Sequence, residues 1–237
     1  MIKKTLGELL KSLMRFVFWF REEHNIFRSS AVEEAYRLAK IESGKFILEN
    51  ISKANCFTSR EKLWRQCLSG SDPEGLFLEL GVNTGSSINK LSEMLETFNP
   101  SQKFYGLDSF EGLQESMVGS FATKGHFDKG GKLPKVRDSV ILIKGWVQDT
   151  LIPLLEQKNS NISFMHLDVD TYESTKFVLD AAVPWMKEGC IIVFDDYLMC
   201  PGWQYGQHRS LVEFGKETGT KFDYIGFSRR QAAIQIK

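Results

Sequence analysis

From Leu76 to the C-terminus, short apolar runs alternate with stretches of helical spacing, the pattern of strand, turn and helix repeated. The pattern predicts strands at 76–80, 103–107, 140–143, 162–167 and 190–194, with helical stretches between most of them. A final pair, near 221–227 and 231–236, reads as antiparallel at the end of the sheet. Upstream, residues 1–70 read as helices: Ala31 to Ala39 has helical apolar spacing, and Ser59-Arg60-Glu61-Lys62-Leu63-Trp64 looks like a capped helix start. Gly119 to Lys135 breaks the rhythm. It is rich in Gly and Lys, lacks periodicity, and is long for a loop in a compact domain, which marks it as a functional or mobile segment and here predicts a lid.

Composition narrows the class. The 237 residues fit one α/β domain with an extra N-terminal piece, and 42% hydrophobic content supports a sizeable core. A formal net charge of +0 gives no overall pull toward nucleic acid or an anionic membrane. Cys56, Cys67, Cys190 and Cys200 have no C-x-x-C spacing and are expected reduced and non-catalytic in a cytoplasmic protein. Near the N-terminus, Lys3 and Lys4 precede an apolar run that includes Leu13 to Phe20. It is shorter than the roughly 18 residues of a membrane span, so no stable membrane insertion is expected. Without a small-residue cleavage site it is not a signal peptide either. An amphipathic helix covering a partner subunit or an acceptor pocket fits better, which predicts a homo-oligomer; attachment to a membrane surface is the alternative.

The candidate chemistry sits where two apolar runs end in acids: Ile162 to Asp170, and Cys190 to Tyr197. Each reads as a buried strand that runs out into carboxylates at its C-terminal end, the edge where open parallel sheets bind ligands. Asp168, Asp170, Asp195 and Asp196 gathered there would repel one another unless a cation sat among them, and hard oxygen ligands suit Mg²⁺ or Ca²⁺ better than zinc. The competing reading is a set of helix caps. Earlier in the chain, Leu78 to Ser87 forms a strand-to-helix turn in which Gly81 and Gly85 permit close ligand approach, and Ser86 and Ser87 can cap the helix. The next strand ends in Asp108, placed either to accept both hydroxyls of a ribose or to cap a helix. Glycine turn and acid together point to a nucleoside-containing cofactor.

The turn E-x-G-x-x-x-G-S-S, from Glu79 to Ser87, resembles motif I of class I S-adenosylmethionine-dependent methyltransferases. Longer words are narrower: Leu107-Asp108-Ser109-Phe110-Glu111-Gly112-Leu113, Gly145-Trp146-Val147-Gln148-Asp149-Thr150-Leu151, Leu167-Asp168-Val169-Asp170-Thr171-Tyr172-Glu173-Ser174-Thr175, and Phe194-Asp195-Asp196-Tyr197. In this order they resemble the macrocin O-methyltransferase family, whose members methylate sugar hydroxyls on natural products with Mg²⁺. The likeness covers about residues 56 to 236; residues 1–55 match nothing assignable. It implies a Rossmann-like fold at 56–237, a mostly parallel seven-stranded sheet with helices on both faces and an antiparallel C-terminal strand, preceded by a helical extension at 1–55. It implies that Glu79, Gly81, Thr84, Gly85, Ser86 and Ser87 line the methionine and ribose side of the cofactor. Asp108 would hold the ribose, Ser109 and Phe110 would lie near the adenine, Gly145 and Trp146 would flank its ring, and Tyr172 would belong to the same pocket. Asp168, Asp195 and Asp196 fall where related catechol-type enzymes hold the metal, with Asp170 behind them or on the cofactor's amino group. Those enzymes carry a Lys base where Thr171 stands here, so the base must differ.

The expected activity is transfer of a methyl group from S-adenosylmethionine to a hydroxyl of a sugar-containing small molecule or glycan, assisted by Mg²⁺. Asp168 is the expected base, with His208 as runner-up. His126 reads as solvent-exposed and His166 as internal to a strand, while Trp203 and Tyr205 are either an acceptor platform or ordinary core. Neutralising Asp195 is expected to relieve repulsion in the metal-free site. The alternatives are a catechol-type or other small-molecule O-methyltransferase, a phosphoryl-transfer or hydrolytic metalloenzyme, and a non-catalytic cofactor-binding scaffold. The second lacks a P-loop or an Arg cluster near Asp168, and the third would leave an electrostatically costly cluster idle.

Overall fold

The computed structural model describes residues 7, 11–15 and 30–237. The aromatic run at 16–20, on which the expectation of a dimer contact rests, lies outside the described residues. Contacts divide the chain into two compact units, Met1–Leu38 and Ala39–Lys237. In the first, residues 11–15 are helical. A reciprocal capping pair starts α1 (Ala31–Asn50): the Glu33 amide donates to Ser30 Oγ at 3.2 Å and the Ser30 amide to Glu33 Oε2 at 2.8 Å. Among the described residues no helix is long and apolar enough to cross a membrane.

The second unit carries an eight-stranded sheet in the order β1-β7-β8-β6-β5-β2-β3-β4. Its strands are β1 (Asn55–Cys56), β2 (Leu76–Leu80), β3 (Phe104–Asp108), β4 (Val140–Lys144), β5 (Ile162–Leu167), β6 (Met186–Phe194), β7 (Phe222–Ser228) and β8 (Gln231–Ile236). The α/β class and the strands from β2 onward are those the apolar runs predict. Two details differ. β8 runs antiparallel between β6 and β7, so the hairpin does not simply close the edge, and a two-residue β1 pairs parallel to β7 outside it. β6 starts at Met186, ahead of the predicted 190, because exposed Lys187 and Glu188 interrupt its apolar pattern.

Helices α2 (Arg60–Ser69), α3 (Ser86–Phe98), α4 (Val147–Lys158), α5 (Tyr172–Ala182) and α6 (Gln207–Thr218) supply the covering layers. Strand side chains alternate between faces, so two cores form. Leu76, Leu78 and Leu80 join Leu151, Leu179 and Phe214 in one; Phe77, Phe104 and Phe164 join Trp64, Ile88 and Leu91 in the other. All of β2 is buried, as a central parallel strand requires. Glu79 therefore points into an apolar layer with 0% exposure, a position a carboxylate keeps only with a partner. The register pairs Leu80 with both Leu107 and Leu167, and Leu167 with Phe194. The next residues, Gly81, Asp108, Asp168 and Asp195, consequently share one row along the sheet's carboxyl edge.

Candidate active site

Backbone hydrogen bonds carry that row past the ends of the strands. Gly81 N donates to Leu107 O at 2.9 Å, Asp168 N to Leu80 O at 2.8 Å, and Asp195 N to Leu167 O at 3.0 Å. Gly81 has φ +88°, and a β-carbon on it would lie 1.9 Å from the carbonyl oxygen of Asp168. Glycine here lets the end of β5 close onto the turn. Gly81→Ala is expected to part the two strand ends, lowering stability by about 2–4 kcal/mol and cofactor affinity at least about tenfold; thermal melting and calorimetry with S-adenosylhomocysteine check both.

Asp108 serves both of its sequence readings in part. Its Oδ2 accepts the amides of Val82 at 2.8 Å and Asn83 at 2.7 Å, and its Oδ1 accepts that of Phe110 at 2.7 Å. The carboxylate thus locks the glycine turn while still facing a cavity. That cavity, about 260 Å³, is walled by Gly81, Asn83, Asp108, Ser109, Trp146, Asp168 and Asp170 among others. Asn83, which sequence reasoning passed over, sits at φ +49° and keeps a buried Oδ1 with no hydrogen-bond partner. Its one signal was an Asn inside a Gly-flanked turn, where the left-handed conformation is tolerated.

Other expected cofactor residues are not part of this wall. Glu79, Thr84, Gly85, Ser86, Ser87, Phe110 and Gly145 do not line the cavity. Gly85 is the N-cap of α3 and receives no side-chain capping bond, so Ser86 and Ser87 do not cap as expected; Ser87 turns toward Glu79. Phe110 is buried, and Gly145 N donates to Asp108 O at 3.0 Å, holding the β3 end. Tyr172 faces a second cavity of about 230 Å³, with Met117, Trp203, Tyr205 and Arg209. Its hydroxyl donates to Glu213 Oε2 at 2.5 Å. Asp170 and Asp196 line both cavities.

The carboxylates converge. Oxygens of Asp168, Asp195 and Asp196 all lie within 4.8 Å of one another. Burial raises the pKa of Asp168, Asp170 and Asp196, and neighbouring carboxylate charges push the same way; Asp170 is also hydrogen-bonded to Asp196. Asp195 is the exception. Burial would raise it, but the hydrogen bond and charge of His166 hold it at about 2. His166 bridges two anions: Nδ1 lies 2.8 Å from Glu79 Oε1, and Nε2 lies 3.5 Å from Asp195 Oδ1. Burial would lower its pKa, yet these partners push it up to about 10, so it is an imidazolium at neutral pH.

Three more side chains brace the acids. Arg230 NH1 lies 2.9 Å from Asp196 Oδ1 and its NH2 3.8 Å from Asp195 Oδ2. Gln207 accepts the Asp196 amide at 3.0 Å and donates to Leu167 O at 3.1 Å, and Gln231 donates to Asp195 Oδ1. The donor set fits a divalent cation: all ligands are hard oxygens, and they converge within 4.8 Å. The cations Arg230 and His166 offset only part of the negative charge.

His208 is not brought to this cluster and lines neither cavity, which corrects its placing as runner-up base. Its ring packs among Phe46, Trp203 and Tyr197 at 5.0–5.2 Å between centroids, with Nδ1 2.9 Å from the Tyr197 hydroxyl. Burial lowers its pKa from 6.5 to about 4. The unfolded chain takes up this proton first, so stability present above pH 6.5 is lost as pH falls toward about 4. His208→Gln should flatten the melting temperature against pH in that window. Trp203 belongs to the core, at 5% exposure, whereas Tyr205 is 62% exposed at the second cavity.

Residues 78–197, half of the chain, match the methyltransferase domain family, and the chain belongs to that family. The matched stretch holds the glycine turn and every carboxylate of the row, in keeping with the motif words read from the sequence. The chain is 27% identical over 144 residues to the 8-demethyl-8-(2,3-dimethoxy-α-L-rhamnosyl)-tetracenomycin-C 4′-O-methyltransferase of Streptomyces olivaceus, 52% of this chain and 53% of the relative. It thus spans about half the length of that curated relative. Among solved structures it is similar to the calicheamicin methyltransferase CalS11, with TM-score 0.59 and 19% identity over 88% of this chain and 94% of the other. The apo form of CalS11 is described as a TDP-rhamnose 3′-O-methyltransferase. The O-methyltransferase NovP is also similar, with TM-score 0.54 and 20% identity over 74% of this chain and 78% of its own. At these identities the structures establish the shared fold.

Proposed function

We propose that this protein transfers a methyl group from S-adenosylmethionine to a hydroxyl of a sugar-containing acceptor, with Asp168, Asp195 and Asp196 holding Mg²⁺. The observation that carries this reading is the meeting of two cavities at Asp170 and Asp196. One cavity has the glycine turn, Asp108 and Trp146 suited to a nucleoside; the other has the aromatic and polar wall suited to a hydroxylated ring. The sugar acceptor is supported by the names of the relatives, which methylate rhamnosyl groups.

In the proposed mechanism Asp108 and Ser109 would hold the ribose and Trp146 would border the adenine. Transfer is an in-line displacement, and the chain's task is to hold donor and acceptor collinear. Asp168, Asp195 and Asp196 would hold Mg²⁺, which would supply Lewis acidity toward an acceptor hydroxyl. The hydroxyl proton must leave as the carbon–oxygen bond forms. Asp170 is the carboxylate at the junction that lies outside the metal trio, which places it to take up that proton. It replaces Asp168 as the proposed base, leaving Asp168 to the metal. The test is transfer of labelled methyl from S-adenosylmethionine to a panel of rhamnosides and a panel of catechols, with Mg²⁺ present. Methyl ethers formed on the rhamnosides support the reading; methylation confined to catechols would contradict it.

A further inference from the structure

The segment between β3 and β4 forms turns, with no helix or strand among its described residues. From Gly119 to Lys135 it carries four lysines, Lys124, Lys129, Lys132 and Lys135, against one acid, Asp128, in a chain of formal net charge +0. None of these ammonium groups forms an ion pair among the described residues. Asp128 is turned to the backbone, its Oδ1 accepting Gly130 N at 2.6 Å. In the same segment Phe121 is 78% and Leu133 52% exposed. Neither lines a cavity, so no small ligand of the site covers them.

The backbone holds this arrangement outward. Met117 N donates to Ala122 O at 2.9 Å, which closes a tight turn with Phe121 at its tip while Ala122 is buried. Gly119, at φ +68°, sits so close to Pro201 that a β-carbon would lie 1.7 Å from its carbonyl oxygen. Leu113 and the Gly125–His126 stretch exchange two bonds of 2.9 Å. A tip tied in this way cannot turn Phe121 into the core.

We propose that this segment docks on an anionic membrane surface, the lysines meeting lipid phosphates while Phe121 and Leu133 enter the headgroup boundary. Three occupants compete for such a surface, and two fit poorly. A soluble phosphate would satisfy the lysines and leave the apolar side chains in water. A second copy meeting face to face would set lysine against lysine. An anionic bilayer satisfies both features together. Because Phe127 walls the first cavity and Met117 the second, docking would hold the mouths of both against the lipid surface.

Co-sedimentation of the full chain with vesicles tests this, using phosphatidylcholine alone or mixed with one-third phosphatidylglycerol, at low and high salt. Wild type is expected to sediment with the mixed vesicles at low salt only. Lys124→Glu combined with Lys132→Glu should weaken that binding at least about tenfold. Phe121→Ser should weaken it independently, and unchanged melting would confirm that both variants fold. The proposal is overturned by absent binding, by equal binding to both vesicle types, or by release with inorganic pyrophosphate at constant ionic strength, which would mark a phosphate site. Undiminished binding of both variants would also overturn it, placing the membrane contact elsewhere in the chain.

Discussion

Asp170→Asn is expected to lower methyl transfer by a factor of about 10²–10⁴, the range for loss of a positioned base. Asp170 is the one carboxylate that lines both cavities while lying outside the trio whose oxygens converge within 4.8 Å. An amide at this position keeps the size of the side chain but cannot take a proton. Affinity for S-adenosylhomocysteine and melting temperature should therefore stay near wild type while turnover falls. Steady-state kinetics alongside calorimetry would show the split. Equal turnover in the variant would return the base to Asp168.

Asp195→Asn is expected to abolish Mg²⁺-dependent turnover and also to destabilise the fold by about 2 kcal/mol, the order of cost for a weakened buried charged hydrogen bond. The second half of this expectation comes from the structure. On the sequence alone Asp195 has repulsive neighbours, so neutralising it is expected to bring relief in the metal-free site. Asp195 is instead the carboxylate paired to the buried His166 imidazolium, and it also accepts from Gln231. With Asn in place, His166 loses the anion facing Nε2 and keeps Glu79 at Nδ1. Asp196→Asn is the contrast: burial and Asp195 both raise Asp196's pKa, so neutralising it should leave the metal-free melting temperature unchanged or higher. Chemical denaturation of the two variants in chelator would separate these outcomes.

The parts of the site legible in the sequence were those whose signal is local. An apolar run that ends in Asp gives the strand, its buried faces and the residue at its carboxyl edge together, which is why the places of Asp108, Asp168, Asp195 and Asp196 on that edge were readable. Gly81 was readable because only glycine takes its φ of +88° with a neighbouring backbone so close. The bracing residues have no such signal. Arg230 and Gln231 reach Asp195 from the β7–β8 hairpin, and His166 meets Glu79 only because β2 and β5 are neighbours. His166 in an apolar strand gave no hint of a charged partner 87 residues away. The position of β8 between β6 and β7 was likewise hidden, since an antiparallel hairpin has the same pattern in either order. His208 misled for the same reason: its sequence neighbourhood follows the acids, but α6 packs it against Phe46 and Tyr197.

The proposed metal-assisted methyl-transfer site places the ribose and adenine contacts on strand ends other than those of the metal ligands. Asp108 and Trp146 stand on one side of Gly81 and the metal trio on the other, so the two functions should come apart under chelation. The direct measurement is methyl transfer to a rhamnoside acceptor before EDTA, after EDTA, and after Mg²⁺ is restored, with S-adenosylhomocysteine affinity measured at each stage. Transfer is expected to vanish and return while affinity changes little; full transfer in the presence of EDTA would contradict the claim.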